Sequence, residues 1–204
     1  PSRKIFVLGV TGTKGKSTTL ELINSILESR GKKTALLSSI RIKVADDSEK
    51  NLTGNTMPGR FFIQSFLRRA VNAGCEYALV EVTSQGIIQH RHYFMDWNAA
   101  LVTNISPEHI EAHGSFENYC QAKISFFEYA ALSKKPERLF FINDGIAHQD
   151  GFLRAAEGKG KIITYSREDF IRNYLGRSYN LYSKKDQRLL GEWLLAEFNL
   201  ENAA

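Results

Sequence analysis

The stretch from Lys4 to Arg30 constrains the fold more than any other part of the chain. Lys4-Ile5-Phe6-Val7-Leu8-Gly9-Val10 is a short apolar run ending in a glycine-rich turn, the pattern of a strand buried on both faces of a parallel sheet. From Ser17 to Arg30, Leu20, Ile23 and Leu27 share one helical face, with Leu22 and Ile26 beside it, and Gly31 supplies a stop. Thr34-Ala35-Leu36-Leu37-Ser38 then reads as a second strand. Parallel neighbours need a crossover between them, so the three pieces make a βαβ unit.

The alternation continues. The pattern predicts helices over 59–73 and 116–132 and strands over 77–82, 99–104, 139–143 and 161–165. Strands alternating with helices specify an α/β fold with a doubly wound, mainly parallel sheet of P-loop type and flanking helices. In such sheets ligands sit beyond the carboxyl ends of the strands. The region from Ser166 to Leu195 shows no clear period and only a weak strand at Tyr179-Asn180-Leu181-Tyr182. With 204 residues the chain can build one such domain around a single core.

Between the first strand and the first helix lies Thr11-Gly12-Thr13-Lys14-Gly15-Lys16-Ser17-Thr18. Glycines there let backbone N–H groups turn toward phosphate oxygens, and the helix N-terminus adds partial positive charge. Residues Gly12 to Thr18 are thus the candidate nucleotide cradle. Lys16 is expected to reach the β- and γ-phosphates and the Ser17 hydroxyl to ligate Mg²⁺. The ordinary P-loop spacing puts its first glycine at position 10, where this chain has Val10. The variant Gly-Thr-Lys-Gly-Lys-Ser-Thr resembles the loop of the Mur ligase and folylpolyglutamate synthase superfamily.

Four further segments carry that resemblance, and they point to the MurE (UDP-N-acetylmuramyl-tripeptide synthetase) branch of the Mur ligases. Glu81-Val82-Thr83-Ser84-Gln85-Gly86 with Gln89-His90-Arg91 is similar to the MurE segment Glu-Val-Ser-Ser-His…Gln-His-Arg. Thr103-Asn104-Ile105-Ser106-Pro107-Glu108-His109, then His113-Gly114, resembles Thr-Asn-Leu-x-x-Asp-His-Leu-Asp-x-His-Gly. Tyr119-Cys120-Gln121-Ala122-Lys123 resembles Tyr-x-x-Ala-Lys, and Phe198-Asn199 with Asn202-Ala203 resembles Phe-Asn-x-x-Asn-Ala.

The resemblance implies a ligase that activates a carboxylate of a UDP-linked muramyl peptide on the ATP γ-phosphate. The acyl phosphate is then captured by the amine of an incoming amino acid. Bringing a carboxylate up to a polyphosphate is costly in repulsion, so two Mg²⁺ are expected to screen it. On this resemblance Glu81 and His109 are metal ligands with Ser17, and Lys123 is carried as a carbamate, an anionic oxygen ligand near the γ-phosphate. Lysine carbamylation needs a neutral amine, hence a pKa lowered by burial or nearby positive charge. Asn104, Asn199 and Asn202 fall on the nucleotide side, with Asn143-Asp144 a looser match for the ribose. Thr56 of Thr56-Met57-Pro58, together with Thr83, Gln89 and Arg91, would meet the muramyl peptide.

Departures mark a divergent member. Gln85 stands where MurE has His, Glu108 where the family has Asp, and Thr83 replaces Ser but keeps the hydroxyl. The stretch between Tyr165 and Asn199 is shorter than in typical MurE proteins. The chain starts at Pro1 without an initiator Met, so residues 1–204 are expected to be the central ATP-binding domain of a longer, cytoplasmic protein. Its UDP-binding and amino-acid-binding domains, and any membrane association, would belong to flanking segments. The net charge of +5 is scattered, with no basic stripe interleaved with aromatics, so nucleic acid is not an expected partner. Cys75 and Cys120 show no metal or redox spacing and fit as buried fillers. Two other readings of the loop stand beside this one: a folylpolyglutamate or cyanophycin synthetase relative, and a P-loop switch or motor without ligase chemistry.

Overall fold

The computed structural model describes residues 1–108 and 110–166. The expectations at His109, Asn199 and Asn202, and the strand at 179–182, therefore lie outside the described residues.

A 3-10 turn at Ser2–Lys4 precedes β1 (Phe6–Thr11), so the first strand starts later than the apolar run. The phosphate loop follows, then α1 (Lys16–Ser29) and β2 (Thr34–Leu37). A hairpin of β3 (Arg41–Val44) and β4 (Asp47–Lys50) comes next, and then α2 (Arg60–Asn72) and β5 (Tyr77–Glu81). After these come α3 (Ser84–Ile88), β6 (Ala99–Val102), α4 (Ile110–His113) and α5 (Phe116–Ala131). β7 (Leu139–Asn143), α6 (Gln149–Ala156) and β8 (Lys161–Tyr165) complete the described part.

The sheet order is β4-β3-β2-β5-β1-β6-β7-β8. The six strands from β2 to β8 are parallel, and β3 and β4 add an antiparallel edge. β1 lies in the middle, and its side chains divide by the two-residue period of a strand. Leu8 and Val10 join Leu20 of α1 on one face, while Val7 joins the core built with α2, α5 and α6 on the other. Gly9 also faces α5. A Cβ there would collide with Phe126 and Trp97, so the two rings press directly on the strand backbone. The carboxyl ends of β1, β2, β5 and β6 consequently open on one edge of the sheet, between helices on both faces.

The hairpin was hidden by polar chemistry. Lys43, in β3, is buried, and its ammonium lies 2.6 Å from Glu28 of α1 and 3.2 Å from the Thr34 hydroxyl. Asn24 completes this network through Thr34 and Glu28, tying α1 to β2 and β3. Beside it, Arg41 makes a two-pronged bond to Glu21. The Lys43 bond holds the Glu28 carboxyl below its ordinary pKa.

Below the site, His92 sits in an aromatic cage of Tyr93, Tyr129 and Phe126, all edge-on, and is 2% exposed. Its Nδ1 is buried without a hydrogen-bond partner among the described residues. Burial, and secondarily the nearby His90, lowers its pKa to about 4, so the ring is neutral at pH 7. Cys75 and Cys120 are both buried and unpaired. No helix among the described residues is long and apolar enough to cross a membrane.

Candidate active site

The phosphate loop is shaped by its neighbours as much as by its glycines. Gly12 has φ +141°, and a Cβ there would overlap the Thr103 hydroxyl, so the position admits only glycine without rearrangement. Gly15 has φ +80° and sits at the start of α1. The segment after β6 then grips the loop. Thr13 N–H donates to the Asn104 carbonyl at 2.8 Å, and Lys14 N–H donates to the Asn104 side-chain oxygen at 2.9 Å. The Asn104 amide returns a bond to the Lys14 carbonyl at 3.1 Å, and the Thr103 hydroxyl donates to that same carbonyl at 2.7 Å.

From the other side α5 holds the same loop. The Tyr119 hydroxyl donates to Thr13 Oγ1 at 3.0 Å, and Lys123, one helical turn on, donates to the Gly12 carbonyl at 2.9 Å. Thr13 Oγ1 also accepts from the Ser106 N–H at 3.0 Å. The loop is thus preorganised by two separate elements rather than held by its own turn alone.

Lys16 Nζ folds back onto the carbonyls of Gly12 (3.1 Å) and Thr13 (2.9 Å). Burial lowers its pKa against the opposing pull of Glu81 and Glu108. Lys123 is the more unusual group. It is 1% exposed, its Nζ lies 4.5 Å from the centre of the Tyr119 ring, and its pKa falls to about 7. Burial is the main cause and the nearby Lys16 charge the second. Near neutral pH a large share of Lys123 is therefore the free amine. By residue type alone it would be a solvated helix lysine; its place behind the loop makes it otherwise.

Glu81, at the end of β5, is 3% exposed. Its Oε2 accepts from the Ser17 hydroxyl at 2.8 Å and from the Ser39 N–H at 2.9 Å. The Ser39 hydroxyl lies 2.9 Å from that of Ser17. Three hard oxygens, Glu81 carboxylate, Ser17 and Ser39, thus converge at the start of α1, a donor set suited to Mg²⁺. Sequence reasoning missed Ser39. The one available signal was its position just past the carboxyl end of β2.

An open cavity of about 420 Å³ unites these groups, lined by the loop, Ser39 and Glu81 and also by Thr56 and Thr83. Thr83 also caps α3, its hydroxyl accepting from Gly86 N–H at 3.1 Å. Arg91 bonds to the Met57 carbonyl and, at 3.2 Å, to the Asn55 side chain. It thus pins the loop that presents Thr56. Gln89 is exposed just after α3 and lies outside the cavity lining. Asn143 is buried and spends its amide on the Thr103 carbonyl at 2.5 Å, bracing the strand end that holds Gly12. A larger depression of about 570 Å³ lies between α5 and α6, away from this chemistry.

The fold that carries this site matches known proteins. A family model described as Mur ligase middle domain matches residues 10–204. The chain is 34% identical over 166 residues to the UDP-N-acetylmuramoyl-L-alanyl-D-glutamate–2,6-diaminopimelate ligase of Parabacteroides distasonis, a match covering 81% of this chain and 32% of that one. A ligase of the same name from Helicobacter pylori is 41% identical over 129 residues, covering 63% of this chain and 29% of the relative. A solved structure, also titled as UDP-N-acetylmuramoyl-L-alanyl-D-glutamate–2,6-diaminopimelate ligase, superposes with a TM-score of 0.68 at 28% identity, covering 81% of this chain and 32% of that chain. The chain spans about a third of the length of these relatives. It belongs to the Mur ligase middle-domain family.

Proposed function

We propose that residues 1–204 are the ATP-binding catalytic domain of a ligase that adds an amino acid to a UDP-N-acetylmuramyl peptide in cell-wall synthesis. The observation that carries this is the convergence, on one sheet edge, of a phosphate loop, a buried carboxylate–hydroxyl cluster and a buried lysine whose pKa is lowered to about 7. A nucleotide switch needs the first two; the third has a use in ligase chemistry.

Backbone N–H groups of the loop and the Lys16 ammonium would bind the β- and γ-phosphates, Lys16 leaving the loop carbonyls for phosphate oxygens. Ser17 and Glu81, with Ser39 beside them, fit one Mg²⁺; His109 and the carbamate of Lys123 are the proposed ligands of a second. Bound there, the ions would screen the γ-phosphate from the incoming carboxylate and stabilise charge as the phosphoryl group moves. Thr56 and Thr83, which share the cavity with the loop, are placed to meet that carboxylate's substrate. Arg91 shapes this side of the site through the 55–57 backbone, and Gln89 is left to a more distant part of the muramyl peptide. Asn104 acts by setting the loop, and Asn199 and Asn202 remain the proposed adenine-side residues. The flanking UDP-binding and amino-acid-binding domains, and a cytoplasmic location, belong to the same proposal.

The folylpolyglutamate-like alternative is separated by ligand. In a thermal-shift assay with Mg-ADP present, a UDP-muramyl dipeptide at saturating concentration should raise Tm by about 2 °C or more, as a ligand specific to the folded state does. Folates should not. A shift with folate and none with the muramyl peptide would reassign the substrate.

A further inference from the structure

Behind the phosphate loop, the Thr11 hydroxyl is buried with no hydrogen-bond partner among the described residues, in a residue that is 0% exposed. Thr11 is the last residue of β1, immediately before Gly12. A buried, unpaired hydroxyl is costly, and its persistence calls for a use. Its surroundings follow from the strand's period. Val7 and Gly9 face the α5 side, so Thr11 faces it too. Gly9 is covered by Phe126, and one turn earlier on α5 stands Lys123, whose Nζ reaches the Gly12 carbonyl at 2.9 Å. β1 rises toward the loop as α5 descends from it, so the strand's period places Thr11 on the face of β1 that α5 covers, next to the Gly12 whose carbonyl Lys123 bonds.

The groups contacting Lys123 in its unmodified form are acceptors, the Gly12 carbonyl and the face of the Tyr119 ring. Those suit an ammonium. A carbamate oxygen is itself an acceptor and needs donors. The Lys16 ammonium shares the Gly12 carbonyl at 3.1 Å, and the Thr11 hydroxyl, on the α5 side of β1, is a donor with no acceptor of its own among the described residues.

We propose that Thr11 is a positioning residue for the carbamate of Lys123, its hydroxyl donating to one carbamate oxygen and fixing that group's orientation behind the phosphate loop. This rests on the carbamate reading of Lys123 given above. In the modification, the lone pair of the neutral Nζ attacks the carbon of dissolved carbon dioxide and an N–C bond forms. One C–O π pair moves onto oxygen and a proton leaves the nitrogen, giving –NH–COO⁻ and H⁺. Nothing is oxidised or reduced. The new anion would draw on the nearby Lys16 charge, and the Thr11 hydroxyl would gain the partner it lacks.

The test is ¹³C NMR of the 204-residue chain equilibrated with ¹³C-bicarbonate in Mg²⁺ buffer, compared with Lys123→Met, Thr11→Ser, Thr11→Val and Thr11→Ala. Wild type and Thr11→Ser should show a lysine carbamate resonance that Lys123→Met lacks. Thr11→Val and Thr11→Ala should need about tenfold more bicarbonate for the same occupancy, the scale of one hydrogen bond to a charged group. In carbon-dioxide-free buffer Thr11→Val should melt at or above wild type, because an unpaired buried hydroxyl has been removed, and bicarbonate should raise Tm for wild type more than for the variant. Equal bicarbonate dependence in wild type and both non-hydroxyl variants would overturn the role of Thr11 while leaving the carbamate in place. A Thr11→Val melt several degrees below wild type without carbon dioxide would also overturn it, since the hydroxyl would then have a structural partner. No resonance in wild type would remove the carbamate reading, and the proposal with it.

Discussion

Lys16→Ala is expected to weaken Mg-ATP binding by at least about 100-fold, on the order of 3 kcal/mol, while leaving the melting temperature within a degree or two of wild type. The binding loss follows from removing the loop ammonium expected to lie between the β- and γ-phosphates. The small stability effect has a separate cause. In the described state Lys16 is partly desolvated and bonded only to two loop carbonyls, and burial already works against its charge. Calorimetric titration with parallel thermal melts checks both parts. Equal affinities in wild type and variant would remove the phosphate-loop assignment. A large fall in Tm would make Lys16 a structural residue.

The second large effect concerns acid stability and lies outside the active site. His92 is neutral in the fold, with a pKa of about 4 against about 6.5 in an unfolded chain. Between those values the unfolded state binds a proton that the folded state refuses. Stability contributed by the neutral ring is fully present above about pH 6.5 and is lost as pH falls toward 4. The loss amounts to about 3 kcal/mol at the acid end. His92→Phe, which keeps an aromatic in the cage of Tyr93, Tyr129 and Phe126, should abolish this dependence. In urea unfolding the variant should therefore gain on wild type progressively from pH 6.5 to 4.5. A difference that stays constant over that range would show that His92 accepts its proton freely in the folded protein.

How much of this was readable beforehand depended on whether the information was local. The phosphate loop, β1 and α1 lie within about thirty consecutive residues, and turn glycines, apolar spacing and a stop at Gly31 spelled them out. The central parallel strands were equally legible, because burial on both faces leaves continuous apolar runs. The β3–β4 hairpin was not. Lys43 interrupts its pattern and is buried only because Glu28 and Thr34 meet it, and every residue of β4 is exposed. The helix α6 was obscured by Gly151 in its first turn, a position where a Cβ would strike Ile124 of α5. Within the site, residue type announced Lys16, Ser17 and Glu81. It said little about Lys123, whose burial is decided by packing across a hundred residues of chain. Ser39 and Thr11 carry no motif at all; their significance comes from what folding brings beside them, the Glu81 carboxylate in one case and the underside of the loop in the other.

The central claim is that the loop, Ser17 and Glu81 form one metal-dependent nucleotide site in this chain. Titrating the 204-residue chain with ATP in Mg²⁺ buffer and again in EDTA tests it most directly, with Glu81→Gln run alongside. Binding should be saturable with Mg²⁺ and at least about tenfold weaker without it, and in Glu81→Gln that difference should largely disappear. Identical isotherms with and without Mg²⁺, or full Mg²⁺ dependence retained in Glu81→Gln, would contradict it.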